Sequence, residues 1–286
     1  MQQGKIIKIV SNQYTILTED HQEVLAIAMG KLRKNESPVV GDEVLYEYSD
    51  GKYLIQKILE RKNYLIRPLI SNVDQAIVVM SLKEPDFSYT LVDRLIFLIS
   101  YQNIEPVIMI TKTDLADEAL LNEVVSEYRN SGYRVYTTGK DDTNDLCELF
   151  KDKVSVLTGQ SGVGKSSFLN RIDPNFQLQT QEISKALGRG KHTTRHVQLY
   201  KVAEGWVADT PGFSSLDFGH IKSSVLRESI LDFQLDEECR FRDCTHVKEP
   251  GCCVKQAVED GRVSKIRYEN YLQVLPMCDQ IKEWER

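Results

Sequence analysis

The chain has 286 residues, of which 41% are hydrophobic and 27% are charged, a composition typical of a globular protein with two or three domains. Its formal net charge of −6 argues against a protein that coats nucleic acid by charge alone, although local basic patches could contact RNA. The first ten residues lack the apolar core of a signal peptide, and no apolar run approaches the ~18 residues of a membrane span. We therefore predict a cytoplasmic protein without a membrane partner.

The first 66 residues are predicted to form short β-strands separated by turns. Five segments are rich in β-branched and aromatic residues and are bounded by turn residues, at 5–10, 13–18, 24–28, 43–48 and 53–59. Five short strands without a helical period favour a small β-barrel of the oligonucleotide-binding (OB) type. The alternative is another small all-β domain.

After residue 68 the pattern changes to alternating strands and helices. Residues 75–81 and 106–111 are continuous apolar runs, as expected for buried parallel strands. Apolar residues at helical spacing predict helices at 89–101 and 115–130. Further strands are predicted at 133–137, 154–158, 197–202 and 205–209, with a helix beginning near residue 164. This alternation predicts a three-layer α/β domain that binds ligands at the carboxyl ends of its strands.

A phosphate-binding loop follows the predicted strand at 154–158. The loop fits the P-loop pattern G-x-x-x-x-G-K-[ST], with a strand before it and a helix after it, which disfavours a Gly-rich turn without a ligand. Glycines let backbone N–H groups converge on phosphates, and the helix N-terminus adds partial positive charge. Lys165 would reach the β- and γ-phosphates, and Ser166 would ligate Mg²⁺. The predicted nucleotide-binding residues here are Gly159, Gln160, Ser161, Gly162, Val163, Gly164, Lys165, Ser166 and Ser167.

A second phosphate-side motif ends the predicted strand at 205–209, with the sequence Asp209-Thr210-Pro211-Gly212. The Asp209 carboxylate would lie near Mg²⁺, and the Gly212 N–H could sense a γ-phosphate. D-x-x-G is a weak signal by itself because many strands end in such a turn. The P-loop upstream strengthens it.

A candidate base-reading loop ends the predicted strand at 106–111, with the sequence Thr111-Lys112-Thr113-Asp114 in the position of the N-K-x-D loop of GTPases. The Asp114 carboxylate can accept hydrogen bonds from N1–H and the 2-amino group of guanine, and adenine lacks that pair of donors. The Lys112 stem can lie along the base plane. Thr111 replaces Asn, so we expect a weakened brace to the P-loop. The alternative is an ordinary turn in which Asp114 caps the next helix.

The base-reading loop precedes the P-loop, which is a rotation of the common GTPase order. Between them, Thr137, Thr138 and Gly139 could supply a last contact to the base. Because such a site is built from loops at one sheet edge, a rotation of the chain preserves the loop positions. In this order the segment after D-x-x-G leads directly to the C-terminal part, so we expect the nucleotide state to move that part.

From residue 218 the pattern is helical and charged, with a terminal helix predicted at 265–285. Four of the six cysteines cluster here, and a reducing compartment disfavours disulfides, so the cluster indicates a metal. Three sulfurs and one nitrogen would fill all four positions of a tetrahedral site, which is typical of one structural zinc ion. The candidate ligands are Cys239, Cys244, His246 and Cys252. Cys253 is an alternative fourth ligand, and a group of unrelated buried thiols is the other interpretation. Cys147 and Cys278 are expected to be ordinary buried cysteines.

Together these motifs resemble those of the circularly permuted, ribosome small-subunit-dependent GTPases of the RsgA (YjeQ/YloQ) family. The resemblance covers nearly the whole chain and includes the rotated motif order, G-R-G-K-H-T-T at 188–194 as switch I, D-T-P-G as switch II and C-x4-C-x-H-x5-C. It favours Cys252 over Cys253 as the fourth zinc ligand. It implies hydrolysis of GTP to GDP and phosphate, stimulated by the small (30S) ribosomal subunit with its 16S rRNA, and a role in late maturation of that subunit. We expect a monomer.

The resemblance implies three domains: an OB-fold RNA-binding domain at 1–66, a circularly permuted P-loop GTPase domain at 67–217, and a mainly helical zinc-binding domain at 218–286. In switch I, Thr193 or Thr194 would ligate Mg²⁺. The segment 183–200 has no acidic residue, and its basic residues favour contact with RNA over a solvated loop. These residues are Lys185, Arg189, Lys191 and Arg195.

Phe213 follows D-x-x-G, where a Ras-like enzyme has a Gln that orients water, and its ring cannot hydrogen-bond water. The resemblance points to His192 as the catalytic group that orients water or accepts a proton, acting with Lys165, and a surface histidine is the alternative. Two other functions stay open: an RNA-docking module that uses nucleotide only as a conformational switch, and an ATP-dependent P-loop enzyme. An ATP enzyme predicts that Asp114→Asn leaves nucleotide preference unchanged.

Overall fold

The computed structural model describes residues 1–30, 32, 37–66, 69–139, 146–174, 198–208 and 216–280. The chain divides into two compact units. The first comprises Met1–Gln75, Thr143–Leu157 and Lys165–Gly212, and the second comprises Ala76–Asp142, Thr158–Gly164 and Phe213–Arg286. Among the described helices, none combines the length and apolar character needed to cross a membrane.

The predicted N-terminal barrel is confirmed within the first unit. Its strands are β1 (Gln2–Val10), β2 (Gln13–Thr18), β3 (Glu23–Ala28), β4 (Glu43–Ser49) and β5 (Lys52–Ile58). They close in the order β1-β2-β3-β5-β4, with β3 and β5 parallel and the other pairs antiparallel. Alternate side chains fill the interior because strand residues point to opposite faces in turn, and Ile6, Ile16, Val44 and Ile55 are fully buried.

A short hairpin after the barrel was not predicted from the sequence. It pairs β6 (Tyr64–Ile66) with β7 (Leu69–Ser71), and strands of three residues carry too little periodicity to be recognised. Its anchor is Asp42, a fully buried carboxylate that accepts hydrogen bonds from the Ser71 hydroxyl at 2.6 Å and from Arg61 at 2.7 and 2.8 Å. A buried charge needs such partners, so this cluster fixes the hairpin to the barrel.

The first unit also contains one group of α/β strands. Here β11 (Val154–Thr158) runs parallel to β13 (Gly205–Ala208), which pairs antiparallel with β12 (Leu199–Val202). Helix α3 (Lys165–Ile172) begins within one residue of the predicted position. Cys147, expected to be buried, is exposed.

The second unit contains the strands and helices that position the base-reading loop. Strands β8 (Gln75–Ser81), β9 (Glu105–Thr111) and β10 (Arg134–Thr138) lie in the order β10-β9-β8. Helix α1 (Tyr89–Tyr101) has the predicted bounds and begins where the Ser88 hydroxyl accepts from the Leu91 N–H. Strands β9 and β10 are parallel, with Thr111 opposite Thr138, so both end at the same edge.

The second helix begins later than the sequence predicted. Residues Thr113–Leu115 form a 3₁₀ turn, and α2 (Glu118–Arg129) starts after Asp117, whose side chain accepts from the Leu120 N–H. Asp114 therefore belongs to the turn, and Asp117 is the cap, so the capping alternative for Asp114 is wrong.

The C-terminal part of the second unit is helical, as predicted. Its helices are α4 (Ser223–Ser229), α5 (Cys253–Glu259) and α6 (Lys265–Val274). The terminal helix is shorter than predicted: a 3₁₀ turn at Leu275–Met277 follows α6, and Asp279 has a positive φ of 58°. Pro276 cannot donate a helical hydrogen bond, which explains this end.

Candidate nucleotide site and metal centre

The base-reading loop turns sharply as it leaves β9. Lys112 has a left-handed backbone with φ 54°, and the 3₁₀ turn that follows leaves the Asp114 side chain exposed at the surface. The Lys112 ammonium donates a hydrogen bond to the Glu84 carbonyl, which fixes its stem. The loop therefore presents an exposed carboxylate with which a base that has two adjacent donors could pair.

The brace between this loop and the P-loop is present although Thr111 replaces Asn. The Thr111 hydroxyl lies 2.5 Å from the Val163 carbonyl and 3.3 Å from the Met80 carbonyl. A hydroxyl has one proton, and the shorter distance assigns it to Val163. Both Thr111 and Val163 are buried, so this bond is shielded from water. The hydroxyl therefore donates in place of the missing amide.

The P-loop conformation requires glycine at both ends. At Gly159, with φ 139°, a Cβ atom would lie 2.1 Å from the Val79 carbonyl oxygen, so no other residue fits against β8. Gly164 has φ 94°, and a Cβ atom placed on it would lie 3.7 Å from the Thr111 hydroxyl oxygen. Between them Ser161 and Gly162 are exposed. The loop is held at its ends, and its apex is open to a ligand.

The loop after β10 meets the base-reading loop as well. A Cβ atom on Gly139 would lie 2.9 Å from the Thr113 hydroxyl oxygen, so the Gly139 backbone lies close to the Thr113 side chain. Three loops that are distant in sequence therefore converge in the second unit: residues 111–114, 137–139 and 159–164. This is the convergence that the rotated motif order predicted.

The remaining predicted phosphate-side residues are described only in part. Lys165, Ser166 and Ser167 form the first turn of α3, where both serines are exposed. Burial lowers the pKa of Lys165 from its usual value, and a phosphate beside it would favour the charged form again. The other predicted ligands lie outside the described residues: His192, Thr193, Thr194, Asp209 and Gly212.

The cysteine and histidine side chains of the C-terminal part come together as predicted. The ligand atoms of Cys239, Cys244, His246 and Cys252 all lie within 4.8 Å of one another. With Zn–S bonds of about 2.3 Å, a tetrahedral site has sulfur–sulfur edges of roughly 3.8 Å. The Cys239 and Cys252 sulfurs are 3.9 Å apart, and the His246 Nδ1 lies 3.6 and 3.4 Å from them. These distances and donor types fit a structural zinc ion.

The loop that carries the histidine is held by hydrogen bonds to its backbone. The Glu249 carboxylate accepts from the Thr245 hydroxyl at 2.6 Å and from the N–H groups of Thr245, Val247 and Lys248. These bonds, led by those from Thr245, lower the pKa of Glu249 to about 2. Burial, followed by the charge of Arg227, lowers the pKa of His246 and keeps the ring in the neutral form that ligates metals.

A buried ionic cluster at Arg267 was missed by the sequence analysis. Arg267 is fully buried on α6, and its guanidinium lies 2.6 Å from Asp232 and 3.3 Å from Asp93 of α1. The guanidinium carbon also lies 4.7 and 5.0 Å from the ring centroids of Tyr128 and Tyr133. The one sequence feature that could have indicated a buried ion pair was the acid Asp93 within the apolar pattern of α1. The cluster ties the C-terminal helix to the helix that follows β8.

Comparison with known proteins identifies the family. A family model described as RsgA GTPase matches residues 58–219, more than half of the chain, and one described as RsgA N-terminal domain matches residues 3–53. The chain is 47% identical to the small ribosomal subunit biogenesis GTPase RsgA of Bacillus subtilis, over 96% of this chain and 97% of that protein. It is 46% identical to the small ribosomal subunit biogenesis GTPase RsgA 2 of Oceanobacillus iheyensis, with the same coverage.

Two solved structures are similar over 96% of this chain. One is YloQ, described as a circularly permuted GTPase, with 41% identity, a TM-score of 0.82 and 94% of its chain covered. The other is YjeQ from Thermotoga maritima, with 36% identity, a TM-score of 0.82 and 97% of its chain covered. The chain therefore belongs to the RsgA GTPase family and is a circularly permuted, GTP-hydrolysing enzyme.

Proposed function

We propose that this GTPase binds the small (30S) ribosomal subunit, is stimulated by it, and assists its late maturation while hydrolysing GTP to GDP and phosphate. The observation that carries the proposal is the hydrogen bond from Thr111 to the Val163 carbonyl, which couples a base-reading loop to a P-loop in the permuted order. The ribosomal part of the proposal is supported by the relatives that are named small ribosomal subunit biogenesis GTPases.

In the proposed site each loop recognises one part of GTP. Asp114 pairs with the guanine edge, because its carboxylate is exposed at the turn after β9. The N–H groups of the P-loop and Lys165 would hold the phosphates, and Asp209 and Gly212 would act on the γ-phosphate side. Ser166 and one of the two switch threonines, Thr193 or Thr194, would hold Mg²⁺, which would supply positive charge to the phosphate oxygens.

Hydrolysis needs a group that positions water against the γ-phosphate. Phe213 cannot hydrogen-bond water, so we assign that role to His192, which can orient a water molecule or accept its proton. Lys165 contributes by stabilising charge on the transferring phosphoryl group. Because the histidine belongs to the basic segment that also carries Arg189 and Lys191, contact of that segment with RNA would position the catalytic group and explain stimulation by the subunit.

The barrel is the proposed contact to 16S rRNA. Tyr48 and Tyr53 are opposite each other on β4 and β5, with ring centroids 5.0 Å apart, and Tyr48 is 64% exposed. Exposed aromatic rings are surfaces on which unpaired bases stack. The proposed domains are the barrel at 1–66, the GTPase domain at 67–217 and the C-terminal domain at 218–286. The protein is proposed to act in the cytoplasm as a monomer.

The C-terminal domain is proposed to hold one structural zinc ion through Cys239, Cys244, His246 and Cys252. The distances among these side chains support this set. All four positions of a tetrahedron are taken by protein atoms, so the ion supplies folding energy and leaves no open position for substrate.

The test is nucleotide hydrolysis by the purified full chain in Mg²⁺ buffer, with GTP or ATP, and with purified small subunits added or withheld. We expect GTP to be hydrolysed in preference to ATP and the rate to rise with small subunits, whereas large subunits serve as the matched control. Equal use of ATP would refute the assigned base-reading role. A GTPase rate that small subunits leave unchanged would refute the ribosomal part of the proposal.

A further inference from the structure

One cysteine lies against the proposed zinc ligands without fitting their geometry. Cys253 directly follows Cys252, and its Sγ lies 3.1 Å from the Sγ of Cys239. This is well below the edge of roughly 3.8 Å that joins two sulfurs of a zinc tetrahedron. The Cys239–Cys252 separation of 3.9 Å matches that edge. Cys253 is therefore a thiol in contact with a ligand.

We propose that Cys239 and Cys253 form a redox-sensitive pair, in which a peroxide converts the two sulfurs to a disulfide and thereby removes one ligand from the metal. The inference rests on the proposed zinc site, because only a coordinated Cys239 would be lost from a metal when it is oxidised. It adds a modification site to a set of residues whose proposed role is structural.

Exposure separates this pair from the other cysteines of the cluster. Cys239 and Cys253 are partly exposed, whereas Cys244 and Cys252 are buried. Both members of the pair line one open cleft of about 580 Å³, which Cys244 also lines and which is large enough for a small peroxide. Oxidation of cysteine follows accessibility, and the two more exposed cysteines of the cluster are also the two whose sulfurs lie 3.1 Å apart.

The reaction balances with hydrogen peroxide as the oxidant. The Cys239 thiolate attacks one peroxide oxygen, the O–O bond breaks, and the products are a sulfenic acid and hydroxide. The Cys253 sulfur then attacks the sulfenic sulfur, the S–S bond forms, and the S–O bond breaks, so that the hydroxyl leaves with the thiol proton as water. The two sulfurs together lose two electrons, and the peroxide gains them.

Loss of Cys239 leaves three ligands, so metal affinity falls and the C-terminal part loses folding energy that the metal supplied. A thiol reductant would reverse the change, since a disulfide returns to two thiols whereas further oxidation products of cysteine do not. Oxidation of the pair would thus lower the stability of the C-terminal part, and reduction would restore it.

The test uses the zinc-loaded full chain and hydrogen peroxide at equimolar concentration. Zinc content is measured first, zinc release is followed with a chromogenic chelator, and a non-reducing tryptic digest is analysed by mass spectrometry. Trypsin places Cys239 in peptide 228–240, Cys244 in 243–248, and both Cys252 and Cys253 in 249–255, so fragmentation must assign the last pair. Two variants accompany the wild type: Cys253→Ala, and Cys147→Ala as a control for an exposed cysteine elsewhere.

We expect a Cys239–Cys253 disulfide, zinc release at the same rate, and recovery of zinc binding after dithiothreitol and zinc are added. Cys253→Ala should bind one zinc ion per chain and release it several-fold more slowly, without recovery, whereas Cys147→Ala should behave as wild type. A disulfide through Cys252, or wild-type release from Cys253→Ala, would overturn the pair. Loss of zinc binding in Cys253→Ala would show that this cysteine is a ligand and also overturn it. A wild-type chain that binds no zinc would instead refute the zinc site itself.

Discussion

Replacing Arg267 by methionine should release the C-terminal helix α6 from the helices on which it packs. The arginine is fully buried between Asp93 and Asp232, so the variant Arg267→Met leaves two buried carboxylates without their cation. Removing one partner of a buried ion pair costs about 3–5 kcal/mol, and methionine keeps most of the apolar volume. At about 1.4 kcal/mol per factor of ten, the amides of α6 should exchange with solvent roughly 10³-fold faster.

Hydrogen exchange measured by mass spectrometry on the zinc-loaded chain checks this value. The matched control is Arg262→Met, because Arg262 is 44% exposed and pairs with Glu237 at the surface, where an ion pair is worth about 0–1 kcal/mol. Adding Asp93→Asn and Asp232→Asn to Arg267→Met should restore much of the protection, since no buried charge is then left unpaired. Exchange in Arg267→Met within tenfold of the Arg262→Met control would refute the reasoning.

Four further predictions concern the base-reading loop, the catalytic group and the pH dependence of stability. Asp114→Asn should shift nucleotide preference from GTP towards xanthosine triphosphate, as measured by competition binding, because an amide donor matches the extra carbonyl of xanthine. Thr111→Val should weaken GTP binding about tenfold by leaving the buried Val163 carbonyl unpaired, whereas Thr111→Ser should bind as wild type. His192→Ala should lower kcat and leave the Kd for GTP unchanged in equilibrium binding, and loss of binding would contradict its catalytic role. Burial raises the pKa of Asp93 to about 6, above about 3.9 in an unfolded chain, so the folded state holds its proton more tightly. The urea concentration at the unfolding midpoint should therefore decrease as the pH rises from about 4 to about 6, and Asp93→Asn should remove this pH dependence.

The elements that the sequence predicted well are those whose burial imposes a clear period. Strand β8 and helix α1 have the predicted bounds, because β8 is buried throughout with an apolar centre and α1 has apolar residues at helical spacing. Elements fixed by a single hydrogen bond or a proline were placed less well. The start of α2 depends on the side chain of Asp117, and the end of α6 depends on Pro276, which a pattern of apolar residues does not register.

The candidate site shows the same division between pattern and contact. The motifs located the P-loop, the base-reading loop and the cysteine cluster from residue type and spacing alone. The consequence of Thr111 depended on a contact 52 positions away in sequence, to the Val163 carbonyl, and only the three-dimensional arrangement reveals that a hydroxyl reaches it. Arg267 escaped notice for a related reason: on a charged helix it reads as a solvated residue, and its two carboxylates lie in other elements.

The Arg267 cluster also changes what the permuted order implies for the C-terminal part. Chain order alone predicts that the segment after D-x-x-G moves this part when the nucleotide changes. The described beginning of that segment is itself fixed, since Phe218 and Ile221 are buried and the Lys222 N–H donates to the Tyr101 hydroxyl of α1. Through Arg267, α6 is held to the same helix by one buried ion pair, with Asp93. Moving the C-terminal part away from α1 would expose or unpair those charges, at a cost of several kcal/mol. A nucleotide-driven motion that keeps this pair intact must therefore carry α1 and the C-terminal part together.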